Sequence, residues 1–424
     1  MKILVLSNLY PPDYVGGYEL GCCQVVDVLR ARGHEVQVLT SAPRTPVPYA
    51  PHVRRTLQLI DIYSKYVMEH STAVFQRLAE SEAHFINAFN VYQLTLALED
   101  FNPDVAYLWH LVGLGGLGLV ACLQYLGIPW VWHLMDQVPS ALCCRIGRPL
   151  PGLKAEFQRQ IRGRYLACSR RLVGEIEASG INLDGQVELL PNWIRGPRPP
   201  PRTTYFHGGH LRIVTAGQIG RHKGIDVLIE AAARLRAGGW ANFSVDIYGK
   251  VSDAYFPGLI DELGLQGHVT LKGSRSQSEL LALYRSAQYD VFAFPTWGRE
   301  PFAFGPLEAA AHGCVPVMSR ICGNAEWFVH GVHCLKADRT PEAFARAFAD
   351  ILEGKIDLER LGRRACAVVW RDFHLDTLIP RIERALAGAA RQPRRAAGTT
   401  GEAYHLALLA DKLTKVLVQE PFCA

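Results

Sequence analysis

The chain has no Cys-x-x-Cys pair among its 11 cysteines. Cys22–Cys23 and Cys143–Cys144 are adjacent pairs, which suit neither a zinc site nor a disulfide framework. Buried thiols in a reducing compartment are the expectation. Strong charge of one sign is also missing: 45 Lys and Arg face 40 Asp and Glu, a formal net charge of +5. That balance does not argue for nucleic acid, and neither zinc-finger spacing nor an RNA-binding signature is present. The apolar run in "MKILVLSNLYPP" is too short for a signal peptide and reads as a first strand. The one charge-free stretch of membrane length, Leu111 to Trp132, is broken by Gly113, Gly115, Gly116, Gly118, Gly127 and Pro129. It reads as a glycine-rich turn, a buried helix to Leu126 capped by Gly127, and the strand "IPWVW", not a membrane span.

What is present is core material. Hydrophobic residues make up 49% of 424, enough for two or three domains. "KILVLS", a loop "NLYPPDYVGG", a helix to about Arg32 with Cys22, Val25, Val26 and Leu29 on one face, and "EVQVLT" form a strand–helix–strand unit. Residues 45–100 read as a proline-rich loop followed by helical patterns from about Val53 to Glu99, decorating the sheet. "DVAYLW", "WVWHLM", "RYLACS" and "VELLP" continue the strands. The Pro-, Gly- and Arg-rich stretch Asn192–His210 reads as a linker. Beyond it "LRIVTAG", "FSVDIYG", "VTLKG", "DVFAFP" and "VPVMS" alternate with helices beginning near Gly224, Pro257, Gln277, Pro306 and Asn324. The fold class expected is α/β, with two doubly wound, Rossmann-like domains facing across a cleft. Their extents are 1–192 and 208–375, with a linker at 193–207 and a helix at 376–390 returning to the first domain. Residues 391–424 form a second linker and an amphipathic tail helix, Ala403–Gln419.

Two carboxylates stand out in "REPFAFGPLEAAAHG", Glu300 and Glu308, with seven residues between them. Pro301 and Pro306 rule out one helix through both. Pro306 suits the first helical position with Gly305 as cap, which puts Glu300 in a loop and Glu308 in the first turn. Such a turn sits at the carboxyl end of a parallel strand and exposes backbone amides that favour a phosphate. A carboxylate there can accept from a ribose diol, or simply complement the helix dipole. "TAGQIGRHKGIDVLIEA" passes from strand to helix through Gly217 and Gly220, with Arg221 and Lys223 just before the helix. That arrangement suits an anion, although basic residues at a helix entry are often merely solvated. Gly16 and Gly17 lie between the first strand and its helix, where backbone can approach a ligand; no dinucleotide fingerprint is completed there.

Taken jointly, these stretches resemble the retaining glycosyltransferases of family four, which have the GT-B fold. The resemblance runs from about Met1 to Leu386 through "YPPDYVGGYE", "RGHEVQVLT", "NPDVAYLWH", "GIPWVWHLMD", "LACSRRLVGEI", "ELLPNWI", "GQIGRHKG", "DVFAFPTWGREPFAFGPLEAAAHGCVPVMS" and "GNAEWFVHGVHCL". It implies a UDP- or GDP-sugar donor and a glycan or lipid-linked acceptor, with retention and no metal. Glu308 would hold the ribose, Glu300 would sit near the transferred sugar and Lys223 would grip the diphosphate. Gly16 and Gly17 would close over the phosphates, and Pro301, Phe302, Ala303, Phe304 and Gly305 would offer backbone amides. Three places depart from the pattern. Gln218 stands where many relatives have arginine, leaving Arg221 to supply charge. Ala303 replaces a common loop glycine. Met135–Asp136 stands for a His–Asp pair, leaving His133 or His110 as substitutes, unless these are ordinary core histidines.

The run Arg145–Arg171 holds eight basic residues against Glu156 alone. It suits either a peripheral contact with anionic lipid, or an acidic or diphosphate-linked acceptor; the alternative is a solvated face. A cytoplasmic location, with or without contact at the inner membrane face, follows. Two rivals remain open: a sugar-nucleotide epimerase of the same fold, and a non-catalytic partner subunit of a transferase.

Overall fold

A computed structural model describes residues 1–43, 46, 48, 50–59, 86–144, 161–183, 185–206, 208–251 and 253–419. The chain forms two compact units: Met1–Ala167, Leu172–Leu190 and Ile379–Ala424 make the first, and Cys168–Arg171 with Pro191–Leu378 the second.

The first unit is built on β1 (Lys2–Leu6), β2 (Glu35–Ser41), β3 (Val53–Leu57), β4 (Val105–Leu108), β5 (Trp130–Leu134), β6 (Arg164–Ala167) and β7 (Val187–Leu189). They pair in parallel in the order β3-β2-β1-β4-β5-β6-β7. The helices between them are α1 (Gly17–Ala31), α2 (Ala88–Phe101), α3 (Gly116–Tyr125), α4 (Val138–Cys144) and α5 (Arg170–Ala178). Every residue of β4 and β5 is buried, as expected of a sheet covered on both faces. α3 ends at Tyr125 and Gly127 takes a φ of 65°, so the glycine-rich run is a helix of the core. Among the described residues no helix is long and apolar enough to cross a membrane.

Val53–Leu57 departs from expectation. It is an edge strand paired with β2, Val38 opposite Val53, and not the start of a helix. Its five residues are too few to separate the two periods, and pairing with β2 decides. The rest of the helical reading before Ile86 falls largely on residues 60–85, outside the described residues.

The second unit carries β8 (Leu211–Ala216), β9 (Phe243–Tyr248), β10 (Val269–Gly273), β11 (Val291–Phe294), β12 (Val315–Ser319) and β13 (Leu335–Ala337), all parallel in the order β10-β9-β8-β11-β12-β13. Its helices are α6 (Ile225–Ala237), α7 (Tyr255–Glu262), α8 (Gln277–Arg285), α9 (Phe304–Ala311), α10 (Asn324–Trp327), α11 (Pro341–Leu352) and α12 (Leu358–Asp372). Leu228, Ile229, Phe243, Ile247, Phe344 and Phe348 fill its core.

The chain then enters α13 (Leu375–Ala390), which belongs to the first unit from Ile379 onward, and α14 (Thr400–Gln419). The tail helix packs on its own chain: the Tyr404 ring meets Tyr92 of α2 at a tilt, with ring centroids 5.3 Å apart. It begins three residues before the expected Ala403, where Thr399 and Glu402 cap one another.

In each sheet the strand order reverses direction at one place, between β1 and β4 and between β8 and β11. Loops leaving the carboxyl ends of strands on either side of such a reversal diverge and leave a crevice. Gly16, Gly17 and His110 follow β1 and β4. The loop 217–223 and the segment 295–303 follow β8 and β11.

Candidate functional site

In the second unit the loop after β8 starts with Gly217 at a φ of 140°, a region that favours glycine, and ends in a short 3-10 turn, Arg221–Lys223. Gly224, at a φ of 73°, then opens α6. A β-carbon at Gly224 would overlap the Pro295 carbonyl, so glycine lets this loop lie directly against the segment after β11. Backbone ties hold the two together. The His222 carbonyl accepts from the Trp297 amide at 2.9 Å and from the Thr296 hydroxyl at 3.3 Å. Arg339 donates to the carbonyls of Pro295, at 3.1 Å, and of Arg221.

Across this junction the Lys223 ammonium pairs with the Glu300 carboxylate. Both side chains are largely enclosed, 24% and 10% exposed, so little water screens the pair. His222, beside them, has its pKa lowered, first by burial and then by Lys223, and stays neutral near pH 7.

The segment from Glu300 to α9 is clamped from below. Asn324, fully buried, accepts from the Ala303 amide at 2.8 Å and donates to the Ala303 carbonyl at 2.9 Å. Asn192 donates to the Phe302 carbonyl at 2.8 Å. The Gly323 amide donates to the Glu300 carbonyl at 2.9 Å, and a β-carbon at Gly323 would overlap the Pro301 carbonyl. The loop therefore presents backbone, while its large side chains turn away. Phe302 is buried among Phe373 and Trp327, and Phe304 meets Trp193 edge-on at 6.2 Å.

α9 begins at Phe304, with Ala303 as its cap, two residues before the expected start at Pro306. Pro306 is thus the third helical residue, where the missing N–H has no intrahelical acceptor to lose. Glu308 is the fifth residue and lies past the first turn. The amides of Phe304 and Gly305 have no partner among the described residues and mark the positive end of the helix. Ala303 has φ −84° and ψ 147°, which any residue adopts, so alanine in place of glycine strains nothing.

Glu308 is bonded to the side-chain amide of Gln277, the first residue of α8. Burial raises its pKa, and the Gln277 bond opposes that shift. Gln218 is exposed and bonds His222 at 3.1 Å. Arg221 lies over the Tyr255 ring, its guanidinium carbon 4.2 Å from the centroid. In this structure its charge is spent on a cation–π contact.

In the first unit Gly16 is the extended N-cap of α1, and its amide donates to Glu19 at 3.0 Å. Gly17 is the first helical residue. Tyr18 follows, with its hydroxyl on the His133 carbonyl and its ring edge-on to His110 at 5.0 Å. His110 is partly exposed, and its Nδ1 is buried without a hydrogen-bond partner among the described residues. His133 is 0% exposed, stacked on Trp109 at 4.3 Å and bonded to the Tyr107 hydroxyl at 2.7 Å. Burial pushes its pKa down to about 3. That is the setting of a core histidine, and the catalytic reading of His133 does not fit it. Met135 is buried and Asp136 exposed.

The structure thus gathers Gly217, Gln218, Arg221, Lys223, Glu300, Pro301–Gly305 and Glu308 in the second unit, and Gly16, Gly17 and His110 in the first. Sequence reasoning passed over Gln277, Asn192, Gly323, Asn324, Arg339 and Tyr18. Asn192, Gly323 and Asn324 lie inside stretches already singled out, but nothing in a single sequence says that a side chain amide will clamp a distant loop. Of the basic run, Arg145 to Arg159 lie outside the described residues, while Arg170 and Arg171 donate their amides to Glu326 at 2.7 and 2.8 Å.

Residues 205–367 match the family described as Glycosyl transferases group 1. A glycogen synthase of Mycobacterium tuberculosis is 25% identical to this chain over 422 aligned positions, covering 93% of this chain and 96% of that protein. Among solved structures, a sucrose-phosphate synthase from Thermosynechococcus elongatus superposes with a TM-score of 0.70 at 17% identity, covering 91% of this chain and 98% of that one. HepE of Anabaena, solved in complex with UDP and glucose, superposes with a TM-score of 0.63 at 16% identity, covering 92% and 100%. These two likenesses show the fold.

Proposed function

We propose that the protein is a retaining glycosyltransferase of family four that moves a sugar from a UDP- or GDP-sugar to a glycan or lipid-linked acceptor without a metal ion. The observation that carries this reading is the Lys223–Glu300 pair held beside the unpartnered amides of Phe304 and Gly305. One cation and two helix amides supply the positive field that a leaving diphosphate needs. On this reading the diphosphate displaces Glu300 as the partner of Lys223. Glu300 is then freed to face the sugar, holding hydroxyls or balancing positive charge as the glycosidic bond to phosphate breaks. The acceptor hydroxyl attacks the anomeric carbon from the face the diphosphate leaves, and passes its proton to a departing phosphate oxygen. Retention follows. Glu308 trades its bond with Gln277 for the two ribose hydroxyls. In the first unit Gly16 and Gly17 offer backbone of the kind phosphates take, and the partly exposed His110, not the enclosed His133, is the histidine open to a sugar.

HepE was solved with UDP-glucose as well as with UDP, which makes a uridine nucleotide the first donor to try. The basic run Arg145–Arg171, Arg164 apart, suits an anionic or lipid-linked acceptor; liposome co-sedimentation of Arg145→Glu and Arg148→Glu variants tests that part. The reaction itself is tested by proton NMR of the purified chain with each nucleotide sugar, with and without acceptor saccharides. Turnover that needs an acceptor and gives the donor's anomeric configuration supports the reading. Conversion of the nucleotide sugar alone points to an epimerase, and an inverted product excludes retention.

A further inference from the structure

A second recess lies in the first unit, far along the sheet from Gly16 and His110. It has a volume of about 370 Å³ and is walled by Arg164, Tyr165 and Leu166 of β6, by residues 185–188 at β7, and by Ala385 and Gln392 at α13. Arg164 is the first residue of its strand, so the recess opens toward the amino ends of β6 and β7. Gly16 and His110 follow the carboxyl ends of their strands, at the opposite edge of the same parallel sheet.

The unusual feature is the state of Arg164. Its guanidinium has no ion pair and no hydrogen bond among the described residues, and its Nε is buried without a partner. The last turn of α13 closes on it at Gly388, where a β-carbon would come within 2.8 Å of Nη1; glycine leaves the room the guanidinium occupies. Glu188, the acidic residue in the wall, is already engaged by Arg381 at 2.8 Å. Local charge is therefore positive by one unpaired cation. An unpaired guanidinium in the wall of a recess is matched by a forked oxyanion, which its planar set of donors can hold. The side-chain amides of Gln186 and Gln392, both exposed at the mouth, have no partner among the described residues and offer donors and acceptors for hydroxyls. The volume exceeds what a bare ion needs and falls within the range of small-molecule sites, about 300–1,000 Å³.

We propose that this recess is a binding site for a phosphorylated polyol, with the phosphate on the Arg164 fork and hydroxyls on Gln186 and Gln392. The site stands independently of the donor loop and of the reaction assigned to it.

The test is calorimetric titration of the full chain with sorbitol 6-phosphate, inorganic phosphate and free sorbitol. Sorbitol 6-phosphate should bind more tightly than either fragment. Arg164→Met should weaken it by about tenfold or more, the loss of a charge-assisted contact pair. Arg164→Lys, which keeps the charge but not the fork, should fall between. Gln392→Glu, a change at an exposed position that leaves the fold alone, should weaken it through repulsion even if Arg164→Met fails to fold. Lys223→Ala should leave it unchanged. No binding by the wild type, equal binding by Gln392→Glu, or loss in Lys223→Ala would overturn the proposal. The last result would place the phosphate in the donor loop instead.

Discussion

The Lys223 ammonium is bonded to the Glu300 carboxylate across 77 residues of chain. The pair joins the loop after β8 to the loop after β11, on the two sides of the strand-order reversal in the second unit. Each residue thereby holds the other at the carboxyl end of the sheet, where a ligand binds in this topology. On the proposed reading, an incoming diphosphate would compete with Glu300 for this one cation.

Lys223→Ala is expected to weaken binding of the donor nucleotide sugar by about tenfold or more, since a charged contact to the diphosphate is lost. Lys223→Arg should retain most of it. Isothermal titration of both variants checks this, and equal affinity in Lys223→Ala would remove Lys223 from the site.

The clamp beneath the loop is a separate matter from ligand contact. Asn324→Ala leaves the amide and carbonyl of Ala303 without their buried partner, at about 1–3 kcal/mol of stability. Gly323→Ala forces a β-carbon onto the Pro301 carbonyl and should cost a similar amount, about 1–3 kcal/mol, by moving the loop. Both should also lower donor affinity although neither side chain is expected to touch the donor. Urea unfolding beside titration separates the two effects; unchanged unfolding in Asn324→Ala would contradict the clamp.

This clamp shows where the sequence was legible and where it was not. Alternating strands and helices announced two parallel sheets, because buried parallel strands are short apolar runs bounded by glycine and proline. The positions of Glu300 and Lys223 were readable because they flank strand-to-helix turns, while Glu308 falls one residue past the first turn in which it was expected. The three-residue strand Leu335–Ala337 carries no period to read, and Val53–Leu57 takes its form from pairing with β2. Asn324 reaches back 21 residues and Asn192 forward 110, and local pattern does not encode such contacts. The start of α9 was misplaced because Pro306 fits the third helical position as well as the first. His133 was ambiguous in sequence, and only its burial behind Trp109 separates a core residue from a substrate contact.

His133 gives a pH dependence. Its folded pKa of about 3 lies below the ordinary 6.5, so the unfolded chain takes up a proton that the folded chain refuses. Stability from this residue is full above 6.5 and is lost as pH falls toward 3, by up to about 1.4 kcal/mol per unit. His133→Gln removes that slope. Unfolding free energies of wild type and variant should therefore converge between about pH 7 and about pH 5; a constant gap would mean that His133 is not enclosed.

Asp290 tests stability away from the ligand. It is buried at the amino end of β11, paired with Arg212 at 2.8 Å and Arg202 at 3.1 Å. Asp290→Ala leaves Arg202 enclosed without its charge partner and should cost about 3–5 kcal/mol, read by denaturant unfolding. Donor affinity of the folded fraction should stay within about twofold, because the change lies at the opposite end of β11 from Pro295.

The most direct measurement is calorimetric titration of the full chain with UDP-, GDP- and ADP-sugars, repeated on Lys223→Ala and Glu308→Ala. A transferase with this donor site binds a UDP- or GDP-sugar, and each variant binds it about tenfold or more weakly, through loss of a diphosphate or a ribose contact. Failure to bind any nucleotide sugar, or affinity unchanged in both variants, would contradict it.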